Sequence, residues 1–194
     1  MEDDLIKQKL ETLLQEMKFL EADLEFHKKV LQSAQKPFSL HYNDKSKKMG
    51  AVERIRKRIA KNRQGPPPAK NSKPRVSKTN KEIYKKIATV AHPDKLMSLS
   101  EKEKSEKEKQ FIAASEAMSN NMMLTLYQIA KDVGVELPVP TIQDIQFFEE
   151  ELKIKKKEIL DLENNWIWHY ACAQDDEQRD SIVGKYIYFL LYKS

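Results

Sequence analysis

The chain has 194 residues, of which 34% are charged and only 4 are glycine, and it carries a formal net charge of +5. That composition resembles long helices and coiled coils, and a mean hydropathy of −0.72 leaves too little apolar material for one large globular core. A single cysteine, Cys172, excludes a disulfide framework or a multi-cysteine zinc module, and no apolar run approaches the ~18–20 residues that span a bilayer. The acidic start Met1-Glu2-Asp3-Asp4 has the wrong charge for a signal peptide, so the expectation is a soluble, cytoplasmic protein.

The first predicted element covers residues 4–36. Ile6, Leu10, Leu13, Met17, Leu20, Leu24, His27 and Leu31 alternate four and three residues apart, the spacing of a coiled-coil seam. Pro37 is expected to end this helix. Residues 37–77 read as a basic, Pro-rich connector, with Gly65, Pro66, Pro67, Pro68 and Pro74 forming a solvated linker. A short helix over 49–62 is suggested inside it by Val52, Ile55 and Ile59, with too much charge for a buried position. Residues 45–81 hold fourteen Lys/Arg against one acid, Glu53. Such a stretch can attract nucleic acid or an acidic protein surface by charge alone.

A compact helical unit follows over 78–137. Thr79 and Glu82 have capping-box spacing, which starts a helix near residue 80. Ile83, Ile87, Val90 and Ala91 form its apolar stripe, and Lys78, Lys81, Lys85 and Thr89 share another face. Pro93 biases His92 away from helical angles and ends the helix. Ser100 and Glu103 repeat the capping-box spacing and start a second helix, with Phe111, Ala114, Met118 and Met122 along one side. A third short helix over Met122 to Asp132 is stopped by Gly134 and then Pro138 and Pro140.

The last block, 138–194, opens at Thr141, a plausible N-cap. Ile145, Phe148, Leu152, Lys155, Ile159, Leu162, Trp166 and His169 form a second heptad seam. A polar break at Gln174 to Asp180 precedes a final apolar helix carrying Ile182, Val183, Tyr186, Ile187, Phe189 and Leu190. Antiparallel pairing of the two seams would satisfy both within one chain; a homodimer through either is the rival. Seven of the sixteen aromatic residues fall between Trp166 and Tyr192. They read as a local core, with a partner groove as the alternative. His27 and His169 read as register-setting polar positions rather than metal ligands, and Cys172 as inert and partly buried.

One constellation carries function. A helix ending in His92-Pro93-Asp94-Lys95, followed by a returning helix, places a fixed turn and a carboxylate beside a basic face. That is a docking surface; no nucleophile, oxyanion donors or metal cluster accompanies it, so no enzyme and no cofactor are expected.

The stretch Tyr84-Lys85-Lys86-Ile87-Ala88-Thr89-Val90-Ala91-His92-Pro93-Asp94-Lys95 resembles the second helix and signature loop of a J-domain, the DnaJ family of co-chaperones. Phe111, Ala114, Ser115, Glu116 and Ala117 resemble the core of that family's third helix, and Leu126 to Gly134 suits a short fourth. The resemblance covers residues 78–137. The family's first helix is not recognisable, and its Gly/Phe-rich and zinc segments are absent. The resemblance implies an all-α protein in which a truncated J-domain hairpin lies between N- and C-terminal coiled-coil helices. It implies docking on a DnaK-type heat-shock chaperone, with Asp94 engaging a partner arginine. The lysines Lys85 and Lys86, with Lys81, would lie against an acidic surface of that chaperone. Such docking accelerates the chaperone's ATP hydrolysis and targets it to a client; a virus-encoded member would act in the host cytoplasm. The alternative from a different class is a coiled-coil scaffold or nucleic-acid binder using the basic connector. Residues 45–81 contain no aromatic for base stacking, which ranks it second.

Overall fold

The structure is a computed structural model, and it describes residues 2–62, 78–96 and 100–192. These form eight α-helices: α1 (Glu2–Lys48), α2 (Val52–Asn62), α3 (Lys78–Ala91), α4 (Glu101–Ser119), α5 (Met123–Val133), α6 (Ile142–Glu163), α7 (Trp166–Cys172) and α8 (Asp176–Tyr192). A short 3-10 turn, Pro93–Lys95, joins α3 to the loop before α4. Among the described residues there is no strand, so the fold is all-α, as the sequence implies. The Pro-rich part of the connector, residues 63–77, lies outside the described residues.

The chain divides into two compact units. The first is Met1–Glu21 with Asn71–Lys155, and the second is Ala22–Lys70 with Lys156–Ser194. Helices α1 and α6 therefore contribute to both.

In the first unit the centre is α5. Leu124, Leu126, Tyr127 and Ala130 are wholly enclosed, with Met123, Gln128 and Ile129 nearly so. A helix buried almost all round must be surrounded. Helices α3 and α4 pack on it. The Tyr127 ring meets Phe148 of α6 in a T-shaped contact, centroids 5.1 Å apart. Lys18 pairs with Asp132 at 2.9 Å and Lys131 pairs with Glu11, which ties α5 to α1. The seam residues Leu10, Leu13, Met17 and Leu20 are buried here within a single chain, joined by Leu14. Each such leucine is worth about 1.5–3 kcal/mol of burial.

The expected antiparallel pairing of the two seams is not what forms. Lys9 pairs with Glu149 at 2.8 Å, and further along both helices Glu21 pairs with Lys155 at 3.4 Å. Residue numbers rise together, so α1 and α6 run parallel in this unit. Heptad spacing carries no direction. The intervening α3–α5 is long enough to return the chain to the start of α1, which makes a parallel partner reachable.

In the second unit Pro37 does not end α1, which continues to Lys48. A proline inside a helix removes one hydrogen bond and crowds the preceding turn, costing about 3 kcal/mol. The residues just beyond it offset that cost. Phe38 packs edge-on to Tyr170 with centroids 5.3 Å apart and also meets Tyr186, while Tyr42 meets Tyr186. Together with Ala51, Ile55, Val183 and Ile187 these make an apolar cluster that a helix broken at residue 36 would lose. The expected helix α2 is present, but contrary to expectation Ile55 and Ala51 are buried. Pro37→Ala would restore an N–H to this turn, and the expected result is a gain of about 1–2 kcal/mol, less than the full proline penalty because alanine also frees the unfolded chain. Thermal unfolding checks it: a lowered midpoint would mean the proline bend is itself required.

The C-terminal seam also departs from a continuous stripe. It breaks at Asn164–Asn165, where the Asn165 side chain accepts from the Ile167 N–H at 2.8 Å and caps α7. Asparagine prefers this cap to a helix interior because its side chain competes for backbone N–H groups. Trp166 consequently packs on Tyr186 and Phe189, and His169 is exposed. The final helix starts at Asp176, inside the expected polar break, and Cys172 is exposed rather than partly buried.

His27 is the buried polar member of the first seam. Its Nδ1 lies 2.8 Å from the Asp23 carbonyl and its Nε2 lies 3.2 Å from Glu163 Oε1. Its ring stacks on Trp168, centroids 4.2 Å apart. Burial pulls its pKa down, but the Asp23 carbonyl and the Glu163 and Asp23 carboxylates outweigh that and hold it above the usual histidine value. Both ring nitrogens are thus engaged by protein groups. No group of three or more metal-ligating side chains occurs among the described residues.

Candidate functional site

The His92 turn sits in the first unit, where α3 hands over to α4. Helix α3 begins at Lys78, slightly before the expected Thr79 cap, so Thr79 lies inside the helix. Of its expected apolar stripe Ile83, Ile87 and Ala91 are fully buried, whereas Val90 is exposed. Across from it, Ala114 and Ala117 of α4 are equally enclosed, and such small side chains let two helices approach closely. At the far end of the loop the Ser100–Glu103 capping box forms with both of its reciprocal bonds, as the spacing predicts.

Two buried residues bracket the turn. Ala91 is the last residue of α3, and Leu96, 1% exposed, follows the 3-10 turn. His92 adopts φ −64° and ψ 133°, extended as a residue before proline must be. The chain then closes through Lys95 N–H donating to the His92 carbonyl at 2.9 Å and Leu96 N–H donating to the Pro93 carbonyl at 3.1 Å. His92 Nδ1 accepts from the Asp94 N–H at 3.3 Å, so the imidazole caps its own turn. The ring rests against Phe111 of α4, edge to face, centroids 5.1 Å apart. Phe111 in turn meets Tyr84, whose hydroxyl lies 3.1 Å from Ser115 Oγ. A column of His92, Phe111 and Tyr84 thus fixes the end of α3 on α4.

The outcome is that the Asp94 carboxylate stands at the apex of a pinned turn with its side chain 86% exposed. His92 Nδ1 lies 3.5 Å from Asp94 Oδ2, an ion-pair contact if the ring is protonated. Lys95 folds back and donates to the Thr89 carbonyl at 3.2 Å, a cation at the C-terminal, negative end of α3.

The lysines divide. Lys81 and Lys85, four residues apart, are exposed on one face of α3 together with Lys78, and Thr89 continues that face toward Lys95. Lys86 is also exposed but turned by about 100°, and its ammonium donates to the Glu136 carbonyl at 3.1 Å. The turn and face therefore gather Pro93, Asp94, Lys95, Lys81 and Lys85, while His92 holds the turn and Lys86 braces the chain after α5. Leu96 is an anchor that the sequence reading does not single out; the signal was an apolar residue placed directly after the turn. The arrangement offers a fixed anion flanked by a cationic helix face.

No protein-family model, curated protein or solved structure matches this chain. The class that the fold defines is an all-α protein, and no helix among the described residues is long and apolar enough to cross a membrane.

Proposed function

We propose that the chain is a J-domain co-chaperone that docks on a DnaK-type heat-shock chaperone through Asp94 and the Lys81/Lys85 face, stimulating its ATP hydrolysis. The observation that carries this reading is the exposure of the Asp94 carboxylate on a turn pinned by Ala91, Leu96 and the His92–Phe111 contact. A preorganised carboxylate loses little conformational entropy on meeting an arginine, and such charge-assisted pairs are the stronger hydrogen bonds. The exposed Lys81 and Lys85 would steer an acidic surface toward it. The missing first helix has a physical substitute in this reading: α5, held by α1 and α6, supplies the apolar surface that keeps α3 and α4 together.

The test is single-turnover ATP hydrolysis by a DnaK-type chaperone with and without the full chain. Stimulation is expected, with Asp94→Asn reducing it to the unstimulated rate. Because Asp94 is exposed, that variant should unfold at the wild-type temperature. Absence of stimulation by the wild-type chain with every cognate chaperone tried would sink the reading.

A second reading, a nucleic-acid-binding scaffold, is favoured by the order of α2, which exposes Arg54, Arg56 and Lys57. Affinity for duplex DNA or RNA that persists near about 200 mM salt would support it over the co-chaperone, since phosphate contacts alone weaken steeply with salt.

A further inference from the structure

A cleft of about 370 Å³ opens in the first unit, away from the His92 turn, between the start of α3, the α4–α5 turn and one face of α6. Its α6 wall is Asp144, Phe147, Glu150, Glu151 and Ile154, with Met122 completing the lining that matters here. Phe147 and Ile154 are 64% and 68% exposed. They stand seven residues apart, about 10 Å along the helix axis, with carboxylates between and beside them. Three acids line the cleft, and no lysine or arginine does among the described residues.

The carboxylates are not equivalent. Asp144 is committed to Thr141, accepting from its N–H and hydroxyl, each at 2.8 Å. Glu151 is buried and accepts from the start of α5. Glu150 bonds to Lys153 at 2.7 Å, with both side chains more than 60% exposed. Such a surface pair contributes under about 1 kcal/mol and yields readily to another cation. Met122 beside them adapts its shape to whatever packs on it. Acidic groups set around two exposed apolar anchors complement a segment of opposite sign that carries apolar side chains of its own.

We propose that this cleft is a docking site for a basic peptide segment of a partner protein, in which lysine or arginine side chains face Glu150 and an aliphatic side chain seats between Phe147 and Ile154. The chaperone reading stands or falls separately, since none of these residues belongs to the His92 turn. Burial holds the Glu151 carboxyl above the usual carboxylate range despite its bonds to Thr125 and Leu124, and a cation in the cleft would oppose that shift.

The test uses the full chain and a fluorescein-labelled ten-residue peptide of alternating lysine and leucine, followed by anisotropy, with a glutamate–leucine peptide as the charge control. One saturable site for the lysine peptide is expected. Phe147→Ser and Glu150→Lys should each weaken it by about tenfold or more, as loss of a central contact does. Glu101→Lys, the same charge change on α4, should alter it by less than about twofold, the size of a screened remote charge. Unfolding temperatures close to wild type would show that the two variants are folded, as their exposure predicts. Equal binding of the glutamate peptide, or indifference to both variants, overturns the proposal. So does binding that emerges only when Arg63, Lys70, Lys73 and Arg75 are replaced by glutamine, which would make the chain's own connector the occupant. Self-association that Glu150→Lys abolishes would overturn it in favour of a second copy.

Discussion

Tyr127→Ala is expected to destabilise the first unit by about 3–5 kcal/mol, the cost of removing a large aromatic from a close-packed core, whereas Tyr127→Phe is expected to stabilise it by about 1 kcal/mol. The two substitutions separate the ring from its hydroxyl. The ring is fully enclosed at the centre of α5 and meets Phe148 edge to face. Deleting it opens a cavity in the core around α5, against Phe148 of α6. The hydroxyl is buried with no hydrogen-bond partner among the described residues. Burial, with a smaller contribution from the charge of Asp144, pushes the phenol's pKa far above its usual value, so the group stays neutral. A buried donor that gave up water and gained nothing in return is a net cost, and phenylalanine removes that cost while keeping the shape. Urea unfolding of the three proteins checks both signs. A Tyr127→Phe variant less stable than wild type would mean that the hydroxyl has a partner in solution.

The helical hairpin around His92 was legible because its determinants are local. Pro93 restricts His92, Ser100 and Glu103 lie three residues apart, and Gly134 supplies the left-handed cap of α5 at φ 82°. Each acts within a few residues of itself, at a spacing that sequence displays directly. The presentation of Asp94 was legible for the same reason. What was not legible depends on contacts between residues far apart in the chain. Pro37 reads as a stop because its penalty is local, whereas the offset comes from Tyr170 and Tyr186, more than a hundred residues later. The direction of α6 against α1 depends on how the chain between them returns, and an apolar repeat is blind to that; the pairs Lys9 with Glu149 and Glu21 with Lys155 show the outcome. Helix α5 reads as a minor third helix by length, yet it is the element on which the others close. Its apolar residues cover nearly its whole circumference, a pattern that signals a surrounded helix without saying by what.

That position of α5 bears on the His92 turn. A hairpin of two helices presents its tip rigidly only if something clamps the pair along its length. Here α5 packs on both α3 and α4, and Lys86 reaches across to the Glu136 carbonyl just beyond α5. Disturbing α5 should therefore loosen the turn without touching it. The distinction matters for reading any variant with weakened docking. Asp94→Asn removes the carboxylate from an intact turn, while a substitution in α5 removes the turn's support and should lower stability in parallel.

The most informative such position is Glu151, which caps α5 from a different helix. The residue at the N-cap of α5 is Met122, whose side chain makes no capping bond. Glu151 of α6 supplies the missing acceptor: its carboxylate accepts from the Leu124 N–H at 2.8 Å and the Thr125 N–H at 3.1 Å, and from the Thr125 hydroxyl. Removing it in Glu151→Ala leaves helix N-terminal donors buried without an acceptor, and a loss of about 2–4 kcal/mol is expected from the unmet donors and the lost cap together. The pH dependence follows from opposing influences on the carboxyl. Burial disfavours the charged form and outweighs the Thr125 and Leu124 bonds and the nearby Lys155, so the folded pKa lies above the unfolded one. The folded state then binds more protons than the unfolded state between those two values, and stability from this group falls as pH rises through that window. Its full contribution is present below the unfolded pKa. Measured against Glu151→Gln, which cannot titrate, wild type should be relatively most stable in acid and lose that advantage as pH rises through the folded pKa. Urea unfolding of both proteins across that range reads the difference directly. A wild-type advantage that grows with pH would show that the hydrogen bonds, rather than burial, govern the carboxyl, and would make the ionised Glu151 the true cap of α5.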